Sequence, residues 1–225
     1  WISSRAYTSV ASSTVLVTTS PLWVGLAAPF LLGEKLTKPL RLGILLAMAG
    51  STLIALADVV AVADGRVQFS LTQFTNQPNP LLGNGLALAG ALAAAFYLII
   101  GRRLRQKVSL LTYITAVYGA AAVFLLLLAL LSGAGLWGYG LLAFLFVLLM
   151  AVFPQLVGHS AYNWALGYLP AAYVSVAVIA EPVGATLLAL LIFGEVPGPL
   201  VVVGSVLILA GVALASRRER KPASN

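Results

Sequence analysis

Among the residues able to do chemistry, one carboxylate stands apart. Glu181 lies inside a long apolar run, immediately before Pro182. A charge at the centre of hydrocarbon costs roughly 2.5–3.5 kcal/mol on insertion scales, so an acid there faces a cavity or a partner and can exchange a proton. The proline after it withholds a backbone donor and kinks a helix, which frees carbonyls to line that cavity. The alternative role for Glu181 is a neutral clasp, hydrogen-bonded to a neighbouring helix.

A second polar set is Gln155, His159 and Asn163, spaced four apart and therefore on one helix face. Histidine is the side chain that ordinarily titrates near neutrality, so His159 is a candidate for proton sensing or substrate binding, with Gln155 beside it. Such a stripe also glues helices together, at roughly 0.6 kcal/mol per interhelical contact, and Asn163 is assigned to that role. Tyr97, Tyr113 and Tyr118 are candidate cavity-lining residues, although tyrosine also anchors helices at the membrane interface. Ser9, Ser12, Ser13, Thr14, Thr18, Thr19 and Ser20 make the first run rich in hydroxyls, which serve close helix packing or, for a few, a ligand.

Enzyme chemistry is not supported. With one histidine, no cysteine, no HExxH motif and no acid pair inside a run, there is no catalytic constellation and no metal or cofactor site. A retinal-type pump needs a lysine inside a span, and every lysine here falls in a connection or in the tail.

The elements that position these residues follow from composition. Hydrophobic residues make up 61% of the chain and charged residues 8%, too few charges to keep a water-facing surface wet. The fitting solvent is the bilayer. Seven apolar runs are predicted, at about Ser9–Leu31, Leu42–Val62, Leu81–Ile100, Leu111–Leu131, Leu141–Leu166, Ala171–Phe193 and Leu200–Ala215. Most have the length that crosses about 30 Å of hydrocarbon; the fifth needs tilt or a break at Pro154. Period-two alternation is absent, which argues against a barrel.

The net charge of +7 does not indicate nucleic acid, because the cations sit in short clusters between runs. Lys35, Lys38 and Arg41, then Arg102, Arg103, Arg105 and Lys107, then Arg217, Arg218, Arg220 and Lys221 all fall on one side if each run crosses once. Arg5 and Arg66 fall on the other. The positive-inside rule places the C-terminus in the cytoplasm.

The chain also matches itself. At a spacing of 161 residues and without gaps, Tyr7 meets Tyr168, Pro21 meets Pro182, Gly33–Glu34 meets Gly194–Glu195, Gly43 meets Gly204 and Gly50 meets Gly211. Ser20 is thereby the counterpart of Glu181, an acid opposite a hydroxyl, which suits proton coupling without demanding it. Gly194–Glu195 and Gly33–Glu34 end equivalent helices, where glycine is an ordinary terminator and the acid is read as structural. Five crossings separate the copies, so they lie in opposite orientations, the arrangement typical of secondary transporters. The predicted organisation is residues 1–62 as the last two helices of a first copy, 63–80 as a polar connecting loop, 81–216 as a complete five-helix second copy, and 217–225 as a basic cytoplasmic tail. Three further helices, about 80 residues, are expected upstream if the copies are equal.

The stretches AYTSVASSTVLVTTSPLWVGLAAPFLLGEKLT and YLPAAYVSVAVIAEPVGATLLALLIFGEVP resemble the drug/metabolite transporter superfamily, specifically its EamA-type members. The resemblance implies an all-α integral membrane bundle of inverted five-helix repeats, with about seven of ten helices present. It also implies a bacterial inner-membrane setting and export or exchange of small metabolites. The expected partners are the lipid bilayer, a small-molecule substrate and, if coupling holds, protons. The rival is a membrane scaffold or lipid-handling protein without transport.

Overall fold

In hydrocarbon the backbone must satisfy its own hydrogen bonds, and runs of Leu, Ala and Val do so as helices. The structure, a computed structural model, describes residues 2–57, 60–63, 66–69, 77–133, 135 and 138–217. A 3₁₀ turn at Ile2–Ala6 leads into α1 (Val10–Val17) and α2 (Ser20–Leu32), then α3 (Lys38–Ala57). A short antiparallel hairpin follows, β1 (Val60–Ala63) and β2 (Arg66–Phe69), pairing Val60 with Phe69 and Ala63 with Arg66. Next come α4 (Pro80–Arg105), α5 (Leu110–Leu131) and α6 (Leu141–Met150), which continues into a π-helical stretch (Ala151–His159) and α7 (Ser160–Ala165). The chain closes with α8 (Ala171–Val178), α9 (Glu181–Phe193) and α10 (Pro199–Ala215).

Among the described residues six spans are long and apolar enough to cross a membrane: Val10–Leu32, Lys38–Ala57, Pro80–Arg105, Leu110–Leu131, Leu141–Ala165 and Ala171–Phe193. The seventh predicted run is the shorter apolar helix Pro199–Ala215. The second run is helix to Ala57 rather than to Val62, because Val60–Ala63, with valine at every other position, forms a strand. The predicted connecting loop therefore contains part of a hairpin; its residues 64, 65 and 70–76, and the tail residues 218–225, lie outside the described residues.

Two compact units are present, one of residues 1–99 and 170–225, the other of residues 100–169. In the first unit α3 and α10 cross antiparallel with their backbones in contact. A Cβ added at Gly43 would sit 2.6 Å from the Gly211 carbonyl oxygen, and one at Gly204 would sit 2.6 Å from the Gly50 carbonyl oxygen. Only glycine permits that approach, and Ile44, Ala47 and Ile208 fill the space beside it. The contact pairs Gly43 with Gly211 and Gly50 with Gly204, so each glycine meets the counterpart of the other one, as a local two-fold relation requires. α8 packs against α2, α3 and α10, with Ala171, Val174 and Val176 buried.

The second unit holds the end of α4, then α5, α6, the π-helical stretch and α7. Its inner contacts gather near Leu166 and Asn163, both fully buried. A Cβ at Gly101 would lie 2.9 Å from both Leu166 Cδ1 and Tyr113 Oη, so α4 comes close to its neighbours there. Arg102 donates to the Leu166 carbonyl at 2.8 Å, and Arg105 donates to the carbonyls of Asn163 at 2.9 Å and of Val108. Two cations thus complement the C-terminal end of α7, where carbonyls lack intrahelical partners.

Candidate functional site

The spans Val10–Leu32 and Ala171–Phe193 are both broken, and at equivalent positions. α1 stops at Val17 and α2 starts at Ser20; α8 stops at Val178 and α9 starts at Glu181. The second linking residues have nearly the same backbone, with φ −73° and ψ −6° at Thr19 and φ −74° and ψ −6° at Ala180, while the first, Thr18 and Ile179, are both helical but differ by 17° in ψ. Pro21 and Pro182 explain the break: neither can donate to the carbonyl four residues earlier, at Val17 and Val178, and the ring crowds that turn. Both broken spans also stop alike, at the left-handed glycines Gly33 (φ 67°) and Gly194 (φ 69°).

What the two breaks carry differs. In the first, Thr18 and Thr19 hydroxyls donate to the Val15 and Leu16 carbonyls at 3.0 and 2.6 Å, and Trp23 Nε1 donates to Thr19 Oγ1 at 3.1 Å. Ser20 is half-buried at the first residue of α2. In the second, Ile179 and Ala180 bring no side-chain donor, and Glu181 stands exposed at the first residue of α9. A carboxylate at a helix N-terminus is favoured by the unpaired amides there. Glu181 thus occupies the middle of its span and the start of a half-helix together.

The acids of the two Gly–Glu pairs have separate environments. Glu34 Oε2 accepts from the Ala171 backbone N–H at 2.9 Å and so caps the start of α8, while Glu195 is exposed.

An open cleft of about 380 Å³ lies beside the first break. Ala11, Val15 and Leu16 of α1 and Leu56 of α3 form its apolar wall, and Ser12, Thr52 and Asn84 are its polar members. Asn84 is placed by Thr8, whose hydroxyl donates to Asn84 Oδ1 at 2.8 Å, and by Gly83, which lets α4 pass close to Thr8. Sequence reasoning does not single out Thr52 or Asn84. A lone amide in the apolar first turns of α4 is the signal that could have found the latter. Tyr97 is half-buried further along α4.

In the second unit the stripe Gln155, His159 and Asn163 is not uniform. Gln155 and His159 are exposed on the π-helical stretch that contains Pro154, with the His159 ring edge-on to Tyr162 at 6.2 Å between centroids. Asn163 is buried and donates to Tyr118 Oη at 3.2 Å, and Tyr118 Oη also lies 3.2 Å from Ser160 Oγ. π-Helical turns are rare and often mark functional stretches. Tyr113 is buried beside Gly101. Among the described residues no group of three or more His, Asp or Glu could hold a metal ion.

Residues 81–217 match the model of the EamA-like transporter family. The chain is 26% identical to a protein of Bacillus subtilis (strain 168) named "Uncharacterized transporter YetK", over 96% of this chain and 62% of that protein. It is likewise 26% identical to a protein of Streptantibioticus cattleyicolor named "Probable terminal-alkyne amino-acid exporter", over 92% of this chain and 64% of that one. The chain thus spans a little under two thirds of the length of these relatives. A crystal structure of a protein with 23% sequence identity superposes with a TM-score of 0.76, covering 95% of this chain and 69% of the other; that likeness is one of fold.

Proposed function

The chain belongs to the EamA-like transporter family and is a multi-pass membrane protein, and from this premise we propose that the whole protein is a secondary transporter of small metabolites working by alternating access. The observation that carries the reading is the pair of equivalent breaks at Thr18–Thr19 and Ile179–Ala180, each in the span just before one member of the antiparallel α3–α10 pair within one unit. Discontinuous helices related by an inverted repeat are how such carriers build a substrate site near the bilayer midplane. In this reading residues 1–62 are the end of the first copy, 63–80 connect the copies, 81–216 form the second copy, and 217–225 are a cytoplasmic tail at the inner membrane. Amino acids are the first substrate class to test, supported by the exporter among the relatives. Ser20 and Glu181, with the breaks imposed by Pro21 and Pro182, are assigned to the pathway. Gln155, His159, Tyr97, Tyr113 and Tyr118 are further candidates for its wall. Glu181 is the candidate proton carrier.

The test is counterflow. The full-length protein is reconstituted in vesicles loaded with unlabelled amino acids, and uptake of labelled amino acids is followed against protein-free vesicles. Saturable, substrate-specific uptake is expected. Its absence across amino acids, nucleosides and vitamins overturns the transporter reading in favour of a scaffold.

A further inference from the structure

A second cavity in the first unit begins one turn past the first break and shares no lining residue with the cleft described above. It is an open groove of about 230 Å³ between α2 and α3, walled by Leu22 and Leu26 on one side and by Ile44 and Leu45 on the other, with Leu36 of the connecting turn closing one end. Gly25 forms its floor: a Cβ there would meet Ile44 Cδ1 at 3.4 Å and Leu36 at 3.6 Å, ordinary contact distances, so the groove exists because Gly25 has no side chain to fill it. Leu26 and Leu45 on its rim are 62% and 58% exposed. The one charged residue of the lining is Arg41, exposed in the first turns of α3.

The internal repeat supplies a control for what the fold needs at this place. The counterparts of Leu22, Leu26 and Leu45 are Val183, Leu187 and Val206, and that of Ile44 is Ser205, so three of the four wall positions stay apolar in the second copy. The counterpart of Gly25 is Thr186, and that of Arg41 is Val202. An equivalent helix pair therefore forms with a side chain on its floor and no cation at its mouth. The open floor and the cation come together in one copy only.

We propose that this groove binds an anionic phospholipid, one acyl chain lying over Gly25 between α2 and α3 and the phosphate held at Arg41. The chemistry is complementary at both ends. The groove offers a strip of branched aliphatic side chains with no polar wall, and its mouth carries a cation in the basic connection that also holds Lys35 and Lys38. Basic residues at the ends of membrane helices attract anionic headgroups; a cation that reaches the phosphate contributes about fivefold in affinity, and of the three only Arg41 lines the groove. Within hydrocarbon an acyl chain has no transfer gain on such a strip, so its preference rests on van der Waals contact, which the concave floor at Gly25 increases. The site is independent of the transport reading, since it uses none of the residues assigned to the pathway.

The test uses the full-length protein in phosphatidylcholine vesicles doped with phosphatidylglycerol carrying a photoreactive acyl chain, or with equally photoreactive phosphatidylcholine. Labelled positions are mapped by mass spectrometry. Labelling of the Leu22–Leu26 and Leu36–Leu45 peptides about fivefold stronger from the anionic lipid is expected. Arg41→Gln should bring the anionic lipid down to the phosphatidylcholine level, Arg41→Lys should retain most of the difference, and Gly25→Leu should remove labelling by both lipids. Equal labelling by the two lipids, or an anionic preference unchanged in Arg41→Gln, overturns the proposal. So does cross-linking of the groove peptides to another protein segment, which would make the occupant a second copy or another part of the same protein. Circular dichroism of each variant guards against loss of fold.

Discussion

The two broken spans, Val10–Leu32 and Ala171–Phe193, share a backbone and differ in chemistry. Both interrupt their helix ahead of a proline and stop at a left-handed glycine, and the residue just before each second half-helix, Thr19 or Ala180, has dihedrals agreeing within a degree. The first ties its loosened turn internally, with two threonine hydroxyls on the carbonyls of Val15 and Leu16 and an indole on one of the threonines. The second has apolar residues at the link and a carboxylate just after it. Geometry is thus held by the repeat, whereas the side chains at the break are free to diverge. A proton-exchanging or ligand-binding role is therefore to be sought where the copies disagree, at Ser20 against Glu181.

The most severe way to break the comparison is to remove the frame that both spans rest on. Gly50→Val places a side chain against Gly204 and Ile208 across the α3–α10 crossing. Because the obstacle is backbone, the loss should be about 3 kcal/mol or more, read as a collapse of thermal stability in detergent and loss of a monodisperse peak. A stable, monodisperse variant would mean that the crossing is not needed.

A narrower test separates the two breaks by chemistry. Glu181→Gln in the full-length protein should abolish the component of flux driven by an imposed pH gradient while leaving counterflow exchange intact, and Ser20→Ala should leave the pH-driven component in place. An unchanged pH response in Glu181→Gln would reject the carrier role for this carboxylate.

The smallest effect concerns the acids that follow the two glycines. Glu34→Ala removes an acceptor from the Ala171 N–H and should cost about 1 kcal/mol, the usual worth of a helix cap. Glu195→Ala changes an exposed residue and should stay within about 0.5 kcal/mol. Equal losses by chemical denaturation would show that the copies are symmetric here after all.

Much of this is legible in the sequence, for a physical reason. Proline and glycine act through the backbone, so a repeat that preserves Pro21 with Pro182 and Gly33 with Gly194 encodes the same bends in both copies. Less legible is where the bend falls: the helix yields at Thr18–Thr19 and Ile179–Ala180, ahead of each proline, because the strain falls on the carbonyl four residues earlier. Hydropathy puts Val60 in a helical run, since it does not separate an apolar strand from an apolar helix. The stripe Gln155, His159, Asn163 can be read as one face, yet its π-helical winding and unequal burial cannot. Contacts across long sequence separations are hidden altogether. Glu34 meets a residue 137 positions away, and the cleft takes Ser12, Thr52 and Asn84 from three helices, a convergence that their places along the chain do not reveal.

The glycine crossing has a consequence for how such a molecule can be assembled. Gly43 and Gly204 are one position of the repeat, Gly50 and Gly211 the other, and each contact joins the first kind to the second. The surface is therefore isologous: the patch offered by one copy is complementary to itself after a half-turn. A half-length polypeptide inserted into the membrane in both orientations would already own both sides of this joint. Fusion of two such halves into one chain then leaves the joint unchanged, while releasing every residue outside it to specialise.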